Sequence, residues 1–243
     1  MAITDVPRAK TGKRNIPRAL AASRLFWDRV MGPGYNKRVL RIGREFYGAF
    51  VAMLVEGGDI PPAARILDVG SGPGLVTLLL AEAYPLAQVT GIDHSPRQVR
   101  AANRMLSREP ISNCGFEVGN AVDLPYAEGS FDVVVSTFSL SCWPQITRGL
   151  EEIRRVLVPD GSAFIVDADS GSTQEEIRRF TTTYAAAGSC RRLQEWFTRR
   201  FVFGPAVAID GDTGEAMAAA AGFGRVVMEK RRGLPFFRLI LRK

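Results

Sequence analysis

The chain has 243 residues, of which 46% are hydrophobic, and this length and composition suit one large globular domain with a substantial core. No apolar run approaches the roughly 20 residues that span a bilayer, and the N-terminus lacks the apolar region of a secretory signal, so we expect a soluble, cytoplasmic protein. Three widely spaced cysteines and one histidine offer neither a disulfide framework nor a zinc-ligand pair, and we expect no metal.

The positive net charge of +7 is concentrated at the two ends of the chain. Residues 1–44 contain 11 Lys or Arg against 2 Asp or Glu, and residues 225–243 contain 7 against 1. Basic ends of this kind are solvated tails or contacts for an acidic partner, an anionic surface or nucleic acid. No aromatic-rich RNA-binding signature or recognition-helix pattern accompanies them, so the sequence carries no strong nucleic-acid signal.

The first part of the chain predicts a flexible basic arm at residues 1–17, followed by a helical cap at 18–60. From Arg65 onward, short apolar runs alternate with amphipathic stretches, which is typical of βαβ units around a parallel sheet. We predict strands at RILDVG, QVTGID, GFEVGN, FDVVVSTF and SAFIVDAD. The predicted helices between them are LVTLLLAEAY, SPRQVRAANRML with Ser95 as its N-cap, and ITRGLEEIRRVL.

After the fifth strand the pattern changes to a helical, aromatic insertion at residues 171–205. For residues 206–243 we predict one helix, TGEAMAAAAGF, followed by two strands, GRVVMEK and FFRLILR. The link between the two strands is short, which favours a hairpin. We therefore predict one α/β domain over residues 18–243, built on a Rossmann-like, seven-stranded, mostly parallel sheet with helices on both faces. The last strand is antiparallel, and the N-terminal helices and the insertion after the fifth strand cover the active site.

The stretch ILDVGSGPG contains Gly70, Gly72 and Gly74, and Leu75 follows them. The dinucleotide fingerprint GxGxxG places its third glycine three residues after the second, so this spacing argues against a pyrophosphate loop. A GxGxG turn still lets a ligand lie against bare backbone, with its amides free to bind polar groups. A ligand site at this turn is therefore expected.

Polar residues follow the next three strands, at the sheet edge where open parallel sheets bind ligands. Asp93 ends the second strand, and a carboxylate there can accept both hydroxyls of a ribose. Asn120, with Ala121, ends the third strand and can pair with the amino edge of an adenine. Ser136 ends the fourth strand beside the glycine turn, and Asp68 can fix the turn or receive an ammonium group.

Four stretches of this chain resemble the successive motifs of class I S-adenosylmethionine (SAM) dependent methyltransferases. They are ILDVGSGPG, GIDHSPRQ, GNAVDLPYAEGSFDVVVSTFSL and LEEIRRVLVPDGSAFIV. The small-molecule subgroup that includes the quinone C-methyltransferases is the most similar. The resemblance is strong from about residue 64 to 168, a SAM-binding core, and it implies SAM as the cofactor. It implies that the three glycines face the methionine part of SAM, that Asp93 binds the ribose, that His94 lies near the adenine and that Asn120 contacts the adenine amino group. The family more often has Asp at position 120, and an Asn oxygen can still accept that hydrogen bond. The cofactor-binding candidates are Asp68, Gly70, Ser71, Gly72, Gly74, Asp93, His94, Asn120, Ala121 and Ser136.

The sequence restricts the identity of the methyl acceptor less than that of the cofactor. Ser141 and Cys142 stand where relatives often have histidines, which disfavours a His-assisted O-methylation. We predict transfer to a small organic molecule through a carbon, sulfur, nitrogen or ionised oxygen nucleophile, mainly by positioning and desolvation, and we assign no catalytic residue. The substrate-binding candidates are Tyr35, Cys142, Trp143, Tyr184 and Trp196.

Two alternatives stay open. A nucleic-acid methyltransferase would use the basic termini, although the Asn/Asp-Pro-Pro-aromatic tetrad typical of amino-methylating enzymes is missing after the fourth strand. A non-catalytic methyltransferase-like partner subunit would dock on an acidic protein, although such a subunit has no need of intact cofactor motifs. The oligomeric state has no sequence signal.

Overall fold

The computed structural model describes residues 50–184 and 208–243, together with residues 23, 25, 28, 29, 36, 44, 47 and 48. The predicted arm at 1–17, most of the predicted cap at 18–60 and the second half of the predicted insertion lie outside the described residues. No helix in the described part has the length and apolar character needed to cross a membrane.

A single seven-stranded sheet organises the described residues. Its strands are β1 (Arg65–Val69), β2 (Gln88–Asp93), β3 (Cys114–Val118), β4 (Phe131–Thr137), β5 (Leu157–Ala168), β6 (Arg225–Lys230) and β7 (Phe236–Arg242). The strand order is β3-β2-β1-β4-β5-β7-β6. β7 is antiparallel to both of its neighbours, while the pairs from β3 to β5 are parallel. The predicted fold class is therefore confirmed.

Five α-helices follow β1 in the described ranges, and two of them begin at clear caps. They are α1 (Leu75–Ala83), α2 (Pro96–Leu106), α3 (Ile146–Val156), α4 (Gln174–Tyr184) and α5 (Gly211–Ala220). The Ser95 hydroxyl accepts a hydrogen bond from the Gln98 amide at 3.1 Å, so α2 starts at the predicted cap. α5 starts two residues before the predicted TGEAM, because Asp210 caps it by accepting from the Thr213 amide at 2.8 Å.

β5 is longer than the sequence pattern predicts. The apolar run predicts a start at Ser162, but the strand begins at Leu157, directly after α3. Leu157 pairs with Phe131 and Ser162 pairs with Val133, so the residues between Leu157 and Ser162 bulge out of register. Asp160 takes a φ of 63° in this bulge, which no hydrophobic pattern signals.

Both faces of the sheet are buried, and alternate strand residues supply two separate cores. Leu67 and Val134 pack with α3 and α5 on one face, whereas Ile66 and Val135 pack with α1 and with residues 50–55 on the other. The strand order reverses between β1 and β4, so the helices that follow these neighbours, α1 and α3, lie on opposite faces of the sheet. Open α/β sheets bind ligands at this switch point, so a ligand site is expected at the ends of β1, β2 and β4.

The reversed strand β7 is a buried member of the sheet, and its packing can be tested. Phe237 is fully buried and lies against α5, where a side chain at Gly211 or Gly214 would press on it. We expect Phe237→Ala to lower the free energy of unfolding by about 3–5 kcal/mol, measured by urea denaturation. Arg225→Ala, on the exposed end of edge strand β6, is the matched control and should change it by less than about 0.5 kcal/mol. Equal effects of the two substitutions would contradict a central role for β7.

Candidate functional site

The turn after β1 requires glycine for steric reasons. Gly70, Gly72 and Gly74 have φ values of 79°, 55° and 92°, in the left-handed region that side chains rarely adopt. A side chain at Gly70 would collide with Ser139, and one at Gly74 would meet the ring of Phe116. The spacing of the glycines therefore reflects both the backbone conformation and the close approach of neighbouring elements.

The amides of this turn are not free to bind a ligand, contrary to the expectation from the sequence. The amides of Gly70 and Ser71 both donate to the Ile92 carbonyl, at 2.8 and 3.0 Å. The Gly74 amide donates to the Ser71 carbonyl at 3.0 Å, and the Gly72 amide donates to a carboxylate of β2 at 3.0 Å. The turn therefore offers a ligand its bare backbone surface rather than a set of open donors.

The Asp93 carboxylate holds the turn against the start of α2. One carboxylate oxygen, Oδ2, accepts from the Gly72 amide at 3.0 Å, and the other, Oδ1, accepts from the Ser95 amide at 2.8 Å. The imidazole Nδ1 of His94 lies 3.4 Å from Oδ1. Asp93 is only 8% exposed, and each of its oxygens keeps lone-pair capacity for a further donor. The Asp93 carboxylate therefore stabilises the turn and can also accept hydrogen bonds from a ligand in the cleft.

The end of β4 forms a second wall. Phe138 has a φ of 52°, which turns the chain sharply, and its amide donates to the Val166 carbonyl at 2.8 Å. The turn brings the Ser139 hydroxyl to within 3.0 Å of the Val69 carbonyl, to which it donates, and 2.7 Å from the Ser136 hydroxyl. Two serines thus fasten the ends of β1 and β4 together.

These elements surround an open cleft at the carboxyl ends of the strands, where open α/β sheets bind ligands. Residues from the ends of β1, β2, β3 and β4 contribute to it, as the switch-point argument requires. Its lining consists of Val69, Gly70, Gly72, Ile92, Asp93, His94, Gln98, Gly119, Asn120, Ala121, Thr137, Phe138, Ser139, Cys142, Trp143 and Pro144.

Four buried polar atoms at or beside this cleft have no hydrogen-bond partner in the described part of the chain. They are Asp68 Oδ1, Ser71 Oγ, His94 Nε2 and Gln98 Oε1. An unpaired buried polar group costs about 1–3 kcal/mol, so native proteins contain few of them. Their concentration around one cleft indicates a site that is completed by a polar ligand.

The most deeply buried of the four groups is also electrostatically unusual. Asp68 is fully buried, and its Oδ2 accepts a hydrogen bond from the Thr77 hydroxyl at 2.7 Å. Burial raises the pKa of this carboxyl from 3.8 to about 7; the Thr77 hydrogen bond opposes the rise, and the nearby Asp93 charge adds to it. Asp68 therefore favours its neutral form except near or above neutral pH.

The structure brings together eight of the residues that the sequence singled out. The cleft lining contains Gly70, Gly72, Asp93, His94, Asn120, Ala121, Cys142 and Trp143. Asp68, Ser71, Gly74 and Ser136 instead lie behind that lining, where they hold the turn and the strand ends. Tyr35, Trp196 and the side chain of Tyr184 lie outside the described residues.

The candidates from the sequence leave out half of the lining residues, among them Gln98, Phe138 and Ser139. Gln98 is the third residue of α2, and its side chain is 3% exposed at the cleft. A count of three residues from the Ser95 cap would have placed it in the first helical turn, next to the strand ends. Phe138 and Ser139 follow β4, and their placement depends on the positive φ of Phe138, for which the sequence holds no signal.

Residues 66–161 match the family model described as "Methyltransferase domain". Among curated proteins, the chloroplastic 2-methyl-6-phytyl-1,4-hydroquinone methyltransferase of Arabidopsis thaliana is 32% identical over 143 residues, which are 58% of this chain and 38% of that protein. The malonyl-[acyl-carrier protein] O-methyltransferase of Geobacter sulfurreducens is 37% identical over 143 residues, 56% of this chain and 51% of that protein. The chain thus spans between about a third and about a half of the length of these relatives.

A solved structure shares the fold at low sequence identity. The SAM-dependent methyltransferase from Aquifex aeolicus aligns with a TM-score of 0.60 and 19% identity, covering 78% of this chain and 87% of that one. The structural alignment thus covers more of the chain than residues 66–161.

The buried carboxyl predicts a specific pH dependence of stability. The Asp68 carboxyl ionises near 3.8 when unfolded but near 7 when folded, so the folded chain binds more protons between these values. Wild-type stability should therefore fall as the pH rises through this window, by up to about 1.4 kcal/mol per pH unit. Asp68→Asn keeps an acceptor for Thr77 and cannot ionise, so its stability relative to wild type should rise over the same window.

Urea denaturation of the two proteins across this pH range measures the difference. Glu151→Gln, at an exposed position on α3, is the control and should run parallel to wild type. If Asp68→Asn also runs parallel, the carboxyl ionises as freely in the folded chain as in the unfolded one, and the account of its burial is wrong.

Proposed function

We propose that the chain transfers a methyl group from SAM to a small organic molecule, since residues 66–161 match the methyltransferase domain model. The observation that carries the proposal is the cleft at the switch point, where the Asp93 carboxylate meets the glycine turn. The chain spans only part of the length of its curated relatives. We therefore infer the class of methyl acceptor from the residues of the cleft.

The charge of the cleft favours SAM over a phosphate-bearing nucleotide. No Lys or Arg occurs among the described residues that line it, whereas Asp93 lines it and Asp68 lies close behind. A pyrophosphate would meet no compensating cation there. SAM carries a sulfonium and an ammonium group, so an acidic site suits it.

The residues of the cleft also fit the other parts of SAM. The Asp93 oxygens have capacity left for the two hydroxyls of a ribose, and Asn120 can accept from an adenine amino group. The orphaned oxygens of Gln98 and Asp68 supply two further buried acceptors, and SAM is rich in donors. A glycine turn without side chains lets the methionine portion approach the backbone closely.

When bound, SAM supplies a methyl carbon that its sulfonium has already made electrophilic, together with a neutral leaving group. What remains for the protein is to align the acceptor with that methyl group and to exclude water. Such positioning supplies on the order of 7–11 kcal/mol in favourable cases. No proton transfer by the protein is needed when the acceptor atom carries no proton at neutral pH.

An aromatic cluster closes one side of the cleft and performs the exclusion of water. Phe138 lines the cleft and stacks on Phe50 with ring centroids 5.3 Å apart. Phe236 packs edge-on against Phe138 at 6.0 Å, and Phe180 of α4 packs edge-on against Phe236 at 5.8 Å. The cluster joins the N-terminal region, the insertion after β5 and the last strand at the wall of the cleft. An acceptor with a flat, apolar surface suits such a wall.

We propose that the N-terminal helices at 18–60 and the insertion at 171–205 cover the cleft, as the sequence predicts. Asp28, in the N-terminal region, accepts a hydrogen bond from the Ser95 hydroxyl, and its carbonyl accepts from Arg97 at 3.0 Å. Ser95 is the residue whose amide holds Asp93. The contacts of Asp28 and of Phe180 in α4 with residues that support the cleft are consistent with this cover.

Two relatives guide the choice of acceptors to screen. One is named for a hydroquinone and the other for a malonyl thioester of acyl-carrier protein. A hydroquinone matches the aromatic wall better, because its ring is flat and apolar. Loss of its hydroxyl proton to solvent makes a ring carbon nucleophilic, and after that carbon takes the methyl group its hydrogen leaves as a proton to solvent. Hydroquinones and phenols therefore come first in the screen, followed by thiols, amines and carboxylates, with RNA as the test of the nucleic-acid alternative.

Binding of S-adenosylhomocysteine, the product of SAM-dependent transfer, tests the cofactor assignment directly. Isothermal titration calorimetry should give a dissociation constant of about 1–100 μM for the wild type and no binding of NADH. Asp93→Ala should weaken binding by about tenfold or more, because it removes the acceptor of the ribose hydroxyls and a brace of the turn.

Asp132→Ala is the matched control for this substitution. Asp132 also accepts a hydrogen bond from a backbone amide, that of Arg65 at 2.8 Å, but it lies at the opposite end of the strands. Its loss should leave the affinity within about twofold of wild type. Equal losses in both variants would refute the assignment of Asp93, and absence of binding in the wild type would refute the proposed function.

The only histidine of the chain provides a test of positioning against base catalysis. Removal of a general base lowers kcat by about 10²–10⁴, whereas loss of a cofactor contact raises the KM for SAM. We expect His94→Gln to change kcat less than about threefold with any acceptor that turns over, because the proposed chemistry needs no base. A fall of a hundredfold or more in kcat at saturating SAM would contradict this mechanism.

A further inference from the structure

Residues 119–127 connect β3 to the rest of the chain as a loop, and its first three residues line the cleft. The loop folds back on itself: the Asn120 side chain accepts from the Val122 amide at 3.2 Å, and the Asn120 carbonyl accepts from the Asp123 amide at 3.0 Å. Any displacement of Asp123 and Leu124 is therefore transmitted to Asn120, which would contact the adenine.

The loop is fastened from behind by two side chains of α3. Glu152 is 2% exposed, and its Oε2 accepts from the Leu124 amide at 2.9 Å. The Arg155 guanidinium donates to the Leu124 carbonyl at 2.9 Å and to the Tyr126 carbonyl at 2.6 Å. Both backbone groups of Leu124 are thus held by charged side chains, through charge-assisted hydrogen bonds.

The two side chains of α3 hold each other as well. Arg155 donates through Nε to one Glu152 oxygen at 3.0 Å and through Nη2 to the other at 2.7 Å. This contact keeps the pKa of the Glu152 carboxyl below its ordinary value despite burial. Arg148 adds an ion pair to Glu152 at 3.0 Å. The pair is a rigid, ionised clamp rather than a mobile surface contact.

The clamp lies outside the cleft, since neither residue belongs to its lining. The hydrogen bonds that its side chains make to backbone groups go to Leu124 and Tyr126. The Arg155 carbonyl accepts from the Gly129 amide at 3.1 Å and from Lys243 Nζ at 3.3 Å. The physical consequence of breaking it is therefore local: the loop loses its register, and Asn120 loses its fixed position.

We propose that Glu152 and Arg155 are positioning residues that set the selectivity of the cleft for adenine, by fixing the loop that carries Asn120. This inference rests on the proposed function, since it takes SAM and its product as the ligands of the cleft. It adds residues that touch neither cofactor nor acceptor, and it assigns them a measurable property, discrimination between purine bases.

The test compares two ligands that differ in one group. S-adenosylhomocysteine has the adenine amino group, whereas S-inosylhomocysteine has a carbonyl oxygen there and so offers no hydrogen to an Asn120 acceptor. The wild type should bind the first at least about tenfold more tightly, because the second ligand places a carbonyl oxygen against the Asn120 oxygen and cannot donate the hydrogen bond. In Arg155→Gln this ratio should fall at least about threefold, together with a higher KM for SAM and a kcat within about twofold of wild type.

The matched control is Arg154→Gln, which makes the same change in charge at the neighbouring, exposed position of α3. It should keep the wild-type ratio. Arg155→Lys preserves the charge but not the forked donor, and it is the variant to measure if Arg155→Gln does not fold. A general loss of stability lowers the folded fraction and affects both ligands alike, so it leaves the ratio unchanged.

The possible outcomes distinguish a failure of the proposed function from a failure of the proposed positioning role. If the wild type binds neither ligand, the proposed function fails. If the wild type binds S-adenosylhomocysteine but does not discriminate, or if the Arg155 variant that folds retains the wild-type ratio, the function stands and the positioning role of the clamp is overturned.

Discussion

The hydrogen bond from the Gly72 amide to the Asp93 carboxylate is the contact on which the rest of the cleft depends. It joins the turn after β1 to the end of β2, and the same carboxylate holds the start of α2 through Ser95. Because the turn uses its amides internally, its conformation is fixed before any ligand arrives. A site prepared in this way spends little of the binding free energy on ordering its own backbone.

This arrangement has an electrostatic cost that is concentrated in one place. Asp93 is satisfied by backbone donors, whereas Asp68 is fully buried beside it with one oxygen unpaired, so the two carboxyls share a region without a cation in the described cleft. Burial and the neighbouring charge both keep Asp68 neutral until the pH is near 7. A cationic ligand would relieve that tension, whereas an anionic one would increase it. The cost to the folded chain therefore acts as selectivity for the charge of the ligand.

Local sequence signals predicted most of the fold, because they reflect contacts that are close along the chain. The Ser95 cap and the alternation of apolar runs located α2 and the seven strands. The residues that the sequence could not place depend on backbone angles or distant partners: the bulge at Asp160 moved the start of β5, and the turn at Phe138 brought Ser139 to β1. Gly74 and Ser136 are not among the residues that line the cleft, because a motif shows which residues are near a turn and not which way they face.

The two walls of the cleft differ in how they are held, and this difference has consequences for its variation. The wall made by β1, β2 and β4 is fixed by short contacts between neighbouring strand ends, such as Ser139 with Val69. The wall made by residues 119–121 has no strand beyond β3 to support it, because β3 lies at the edge of the sheet. Its support comes instead from α3, whose residues are about 30 positions further along the chain. Substitutions at the back of α3 can therefore alter the wall made by residues 119–121 while the glycine turn stays unchanged, so the two walls of the cleft are structurally separable.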